Sequence, residues 1–205
     1  MIYLEFIERD RFVPIELFRY MGNQDAIWVQ KETDRLLLQL GRTFRFGPMP
    51  SYLAFWQIAT MDRIDVWQEY FTSDAALRNH RSVAMHRAVH VQRAGLYDEL
   101  VIDLADSRAR DEDMNWYIEY FDAAASETDA AVHGAFRQRA GESHDVKLEL
   151  LLRRVGMLGP DPAHLAVWSG SKFQNFERLI RSAPGASGAQ IKQAGLYRHL
   201  GNETV

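Results

Sequence analysis

The chain has 205 residues, 47% hydrophobic and 25% charged, with a formal net charge of −4 and no cysteine. That composition supports one large domain or two small ones with a real core, offers no basic face for nucleic acid, and excludes disulfides, cysteine metal sites and iron–sulfur clusters, which points to the reducing cytoplasm. The opening MIYLEFIERD lacks the basic and long apolar regions of a signal peptide, and no stretch approaches the roughly 20 apolar residues of a membrane span.

In chain order, IYLEFI (2–7) is short, aromatic and β-branched and predicts a strand. A helical pattern follows over roughly 13–43, with a break expected near Gly22-Asn23, and GPMP (47–50) reads as a helix stop and turn. YLAFWQI (52–58) predicts the next strand, and helices are expected over 62–72 and 74–93. The charged run DSRARDED (106–113) reads as an exposed linker. WYIEYF (116–121) then predicts a strand, 126–157 a helix, HLAVW (164–168) a strand and 172–181 a helix, with a loop at SAPGASGAQ (182–190).

The second half repeats the first. GPMPSYLAFW (47–56) matches GPDPAHLAVW (159–168) without a gap, and at the same offset Leu36, Leu38, Leu40 and Arg42 fall on Leu148, Leu150, Leu152 and Arg154. YLEF (3–6) corresponds to YIEY (117–120), DVWQEYFTS (65–73) to NFERLIRS (175–182), and AGLYDEL (94–100) to AGLYRHL (194–200). Five matches in one order indicate tandem duplication. The expected organisation is a first α+β module over 1–105, a linker over 106–113 and a second module over 114–205. Two modules with few strands each must bury their sheets. Helices outside and sheet against sheet inside give a barrel.

YLEFIERDRFVP (3–14) and HLAVWSGSKFQNFERLIRS (164–182) resemble the first strand and the later strand-then-helix of NIPSNAP-like families, within the dimeric α+β barrel superfamily of ferredoxin-like modules. The resemblance covers most of both halves and carries no catalytic motif. It implies two fused ferredoxin-like modules around a central cavity. Cofactor-free monooxygenases, lactone isomerases, haem proteins and proteins without known activity all occur in that superfamily, so fold alone selects no reaction.

Alternation along the strands sorts the candidate site residues. Tyr52, Ala54 and Trp56 share a face, as do His164, Ala166 and Trp168. Small alanines between tryptophan walls and polar tips suit a ligand space, which leaves Leu53, Phe55, Leu165 and Val167 to pack under helices. Glu5 and Glu119 occupy matching mid-strand positions. A carboxylate among apolar neighbours must be paired, neutralised or used. It is either a general base of raised pKa or the partner of a cation such as Arg42 or Arg154. Glu119 is the stronger catalytic candidate, because His164 in its own module offers an acid/base partner where the first module has Tyr52. Tyr3, Tyr52, Trp56, Tyr117 and Trp168 are expected walls, with Arg42 or Arg154 holding a substrate carboxylate.

His86 and His90 share a helix face with His80 one and a half turns earlier, but HRAVH lacks the glutamate of a zincin motif. No metal, nucleotide or other bound cofactor is expected from the residues, and the chain contains neither GxGxxG nor GxSxG. The leading expectation is a cofactor-independent isomerase or lyase, with Glu119, His164 and Glu5 transferring protons on a small aromatic or unsaturated oxo-acid of the kind met in aromatic catabolism. The alternatives are a haem-binding barrel enzyme, with His164 or one of His80, His86 and His90 available as iron ligand, and a non-catalytic small-ligand or interaction protein. Fusion supplies the module pairing internally, so a monomer or a homodimer is expected.

Overall fold

The first strand shows how the chain divides its side chains between two cores. The computed structural model describes residues 1–9, 34–43, 51–72, 89–105, 111, 113–182 and 188–199. In it, β1 (Ile2–Arg9) sends Ile2, Leu4 and Phe6 into one cluster and Tyr3 and Ile7 into another. The same alternation runs through 52–57, 115–122 and 164–170, because both faces of the sheet are covered.

The elements in order are β1, β2 (Arg35–Arg42), β3 (Tyr52–Gln57), α1 (Asp62–Thr72) and β4 (Val89–Ile102). The second half supplies β5 (Asn115–Asp122), α2 (Asp129–Gly141), β6 (Val146–Arg154), β7 (His164–Gly170), a 3-10 turn over Phe173–Phe176, α3 (Glu177–Arg181) and β8 (Gln190–His199). The strands form a closed antiparallel barrel in the order β1-β3-β2-β8-β5-β7-β6-β4. Each half contributes the same local order, β4-β1-β3-β2 and β8-β5-β7-β6. The fold is therefore α+β, with ferredoxin-like modules whose sheets close into a barrel and whose helices lie outside. The two halves meet along two seams. β2 pairs β8 over Leu40–Arg42, and β4 pairs β6 over Tyr97–Ile102.

The barrel interior is filled by a contiguous cluster drawn from all eight strands, including Leu4, Phe55, Tyr97, Trp116, Leu165 and Tyr197. Barrels of eight strands are just wide enough for side chains to fill. This corrects two expectations. The place assigned to a central cavity is occupied by these side chains. The two faces of β3 and β7 are also interchanged. Leu53, Phe55, Leu165 and Val167 point inward. Tyr52, Ala54 and Trp56 lie on the outer face against Trp67 of α1, and Ala166 and Trp168 lie on it with Phe136 of α2. The physical reason is partner supply. On the outer face the indoles of Trp56 and Trp168 reach the carboxylates of Glu5 and Glu119, and Arg139 of the covering helix neutralises Glu119.

Two expected helices are in part strands. The pattern over 13–43 includes β2, and the pattern over 126–157 includes β6 after the shorter α2. A β-bulge lies between Leu36 and Leu38 and again between Leu148 and Leu150, so VKLELLLRR loses its clean alternation. Likewise 89–93 of the expected helix 74–93 belongs to β4, which places His90 on a strand. The GPDP element follows β6, so it is a strand-to-strand turn and not a helix stop. The rest of the 74–93 helix with His80 and His86, the segment 13–33, GPMP (47–50), linker residues 106–110 and 112, and loop residues 183–187 lie outside the described residues.

The repeated AGLY element has a packing cause. A Cβ on Gly195 would sit 2.7 Å from Cε2 of Tyr197, and one on Gly95 would sit 2.8 Å from Cε2 of Tyr97. Each tyrosine ring lies back across the glycine two residues earlier on the same face. Among the described residues no helix is long and apolar enough to cross a membrane.

Candidate functional site

The sequence-derived site is built on the outer face of the second sheet. Thr128 caps α2, accepting from the backbone N–H of Ala131, and Val132, Phe136 and Arg139 form the stripe that α2 buries. That stripe carries Arg139 onto Glu119. Nη1 donates to Oε2 at 2.8 Å and Nη2 to Oε1 at 2.9 Å, with Glu119 fully buried. The indole N–H of Trp168 donates to Oε2 at 3.1 Å. Arg139 Nη2 also reaches the carbonyls of Leu179 and Ser182 at 3.1 Å each, binding α3 to the same centre. The cation of the ion-paired reading is thus Arg139, a helix residue absent from the sequence-based pairings with Arg42 and Arg154.

The first module keeps part of this device. Trp56 donates its indole N–H to Oε2 of Glu5 at 2.9 Å. Tyr3 meets Trp67 edge-on at 5.4 Å, and Tyr117 meets Phe176 in a tilted contact at 5.8 Å. Burial, and then the neighbouring Glu119 charge, raise the Tyr117 phenol well above its usual pKa, and burial with Glu5 does the same to Tyr3. These phenols stay protonated.

His164 does not share a hydrogen bond with Glu119. Its ring stacks on Phe121 at 5.0 Å, Phe121 stacks on Phe136 at 4.6 Å, and its buried Nδ1 has no hydrogen-bond partner. Burial lowers its pKa, with the nearby Asp129 and Asp122 opposing that shift. Arg154 is occupied too. It donates to Asp161 at 2.7 Å and to the carbonyls of Gly159 and Gly156, clamping the β6–β7 turn. Arg42 sits at the β2–β8 seam opposite Tyr197. The structure therefore brings Glu119, Trp168 and Tyr117 together, and separately Glu5, Trp56 and Tyr3. It places His164, Arg154 and Arg42 elsewhere. Among the described residues no group of three or more His, Asp or Glu is positioned to hold a metal ion.

A second feature has no counterpart in the sequence-based expectations. Beside the buried stripe of α2 runs another at the same spacing, His133, Arg137 and Ala140. It forms one wall of a groove of about 510 Å3. The floor is the β4–β6 seam, with Leu100, Val101 and Ile102 from β4 and Val146 and Leu148 from β6. Asp103 and Lys147 complete the lining. Among the described residues neither the His133 nor the Arg137 side chain has a hydrogen-bond or ion-pair partner. The signal in the sequence is a histidine and an arginine four apart on a helix, next to rather than on its apolar stripe.

No protein-family model and no curated protein matches the chain. Solved structures do. A haem-binding protein of Thermus thermophilus superposes with a TM-score of 0.58 at 9% identity, covering 97% of this chain and 90% of the other. A chlorite dismutase variant from Candidatus Nitrospira defluvii, in complex with cyanide, gives 0.58 at 9% identity over 97% and 91%. An anthrone oxidase-like protein gives 0.54 at 11% identity over 97% and 90%. These likenesses place the chain in the α+β barrel fold expected from its sequence, while the narrower NIPSNAP-like assignment is not carried by them.

Proposed function

We propose that the chain is a haem-binding barrel protein that takes one haem in the groove between α2 and the β4–β6 seam, with His133 as the residue that would ligate its iron. The observation that carries this reading is the unengaged His133 imidazole above an apolar floor, with cationic Arg137 and Lys147 in the same lining. The groove lies within the range of roughly 300–1,000 Å3 that suits small-molecule and cofactor sites. An imidazole with no other partner, an apolar bed and cations for carboxylates are the chemistry such a group requires. Haem bound there would supply redox chemistry, while the chain would orient it and limit its contact with water. The shared fold with a haem-binding protein and a chlorite dismutase supports the reading.

The same geometry weighs against proton transfer by Glu119 and His164. Both Glu119 oxygens are engaged by Arg139 or Trp168, and the His164 ring is stacked on Phe121. A single site per chain is also supported. Residues 10–33, which precede β2 as α2 precedes β6, contain no histidine. Among the described residues β8 pairs β2 over Leu40–Arg42, a shorter register than the Tyr97–Ile102 seam that floors the groove.

The test is a haemin titration of the purified chain. A sharpened, shifted Soret band saturating at one haem per chain supports the proposal. Absence of saturable binding overturns it.

A further inference from the structure

Lys147 Nζ lies 3.1 Å from a carboxylate oxygen of Asp103 and 3.3 Å from Oε2 of Glu149, and it also donates to the Asp103 backbone carbonyl. The two carboxylates differ. Glu149 is fully buried and accepts from the Ser169 hydroxyl at 2.6 Å, whereas the Asp103 side chain is 69% exposed. The backbone N–H of Asp103 donates to the Glu149 carbonyl at 2.9 Å, which keeps the aspartate beside the lysine. Asp103, Lys147 and Arg137 all line the one groove.

From this arrangement we propose that Lys147 is the anion-receiving point of the groove and that Asp103 occupies it as an internal stand-in, displaced when a ligand carboxylate arrives. This deepens the haem reading and rests on the same groove. Glu149 fixes the ammonium in place. The exposed Asp103 carboxylate holds it only weakly, as exposed pairs do, so a carboxylate delivered on an apolar body that also fills the floor replaces it. The ligand class is therefore an apolar body carrying at least one carboxylate. Asp103 sets its affinity by competition, and Arg137 on the opposite wall offers a second cation. The exchange is one carboxylate for another on the same ammonium, so it needs no proton transfer.

The experiment uses metal-free protoporphyrin IX, which carries two carboxylates but no iron, beside its uncharged dimethyl ester. Binding is read by fluorescence in the wild type, Asp103→Asn and Lys147→Gln, with melting curves as folding controls. Asp103→Asn retains the Lys147–Glu149 pair and so keeps the test intact if Lys147→Gln folds poorly. The expected result is tightening of about two- to fivefold for the acid in Asp103→Asn, weakening of about tenfold in Lys147→Gln, and no change for the ester in either. Equal affinity of all three proteins for the acid, equal shifts for acid and ester, or no porphyrin binding in any of them overturns the inference. The haem reading is read separately by its iron spectrum. If haemin gives its Soret change while Asp103→Asn leaves protoporphyrin affinity unchanged, the stand-in is wrong and the haem site stands. If Asp103→Asn tightens the acid while haemin gives no iron–imidazole spectrum, the anion site stands without haem.

Discussion

The indole N–H of Trp168 donates to Glu119 at 3.1 Å, and Trp56 repeats the bond to Glu5 at 2.9 Å in the other half of the barrel. Duplication has preserved a glutamate and a tryptophan on neighbouring strands, facing the helices in both modules. In the second module Arg139 adds a bidentate grip on the carboxylate, with its guanidinium carbon 5.5 Å from the Trp168 ring centroid. A buried carboxylate held by a bidentate guanidinium and an indole fixes how α2 sits on the sheet. It thereby sets the position of the neighbouring stripe that faces the groove.

Arg139→Ala is expected to destabilise the chain by about 3–5 kcal/mol, because it strands the buried Glu119 charge. Glu119→Leu combined with Arg139→Met should recover much of that loss, since both charges go together. Chemical denaturation of the two variants measures this. A loss below about 1 kcal/mol in Arg139→Ala contradicts the reading.

Gly195→Ala should cost about 1–3 kcal/mol by driving a Cβ into the Tyr197 ring. The same change made in a Tyr197→Leu background should cost markedly less. Equal penalties in the two backgrounds, read from denaturation midpoints at constant slope, would show that the ring is not the cause.

His164 links stability to pH. Burial holds its folded pKa below the unfolded value of about 6.5. The unfolded chain therefore binds the proton more readily. The full contribution is present above about pH 6.5 and declines as pH falls through that value toward the folded pKa. His164→Phe, which keeps a ring against Phe121, should flatten this decline. Melting temperatures of wild type and variant across about pH 5–8 should converge toward the alkaline end and separate toward the acid end. Parallel curves contradict the assignment.

Much of the fold is legible because duplication exposes it. The AGLY pair sits in equivalent places of the two halves, with Tyr97 and Tyr197 each lying back on the glycine two residues earlier, and the bulges at Leu36/Leu38 and Leu148/Leu150 coincide at the repeat offset. The sheet faces are harder to read. Both sides of each strand are apolar, so Leu53-Ala54-Phe55-Trp56 carries no clear sign of which side is inside. β6 is hidden because its bulge at Glu149 breaks the period of two and makes a leucine run look helical. Glu119 stands out as a carboxylate among apolar neighbours, yet its partner lies 20 residues on, placed by a helix whose rotation no single position reveals. His133 is inconspicuous for a related reason. It is set apart only by standing one residue beyond the stripe that α2 buries, over a seam between strands far apart in the chain.

The most direct test of the haem assignment is cavity rescue at His133. His133→Gly should fail to give the wild-type haemin spectrum, and added free imidazole should restore it by occupying the vacated position. A wild-type spectrum in His133→Gly without imidazole, or no restoration when imidazole is present, would contradict the assignment of His133 and with it the groove as the haem site.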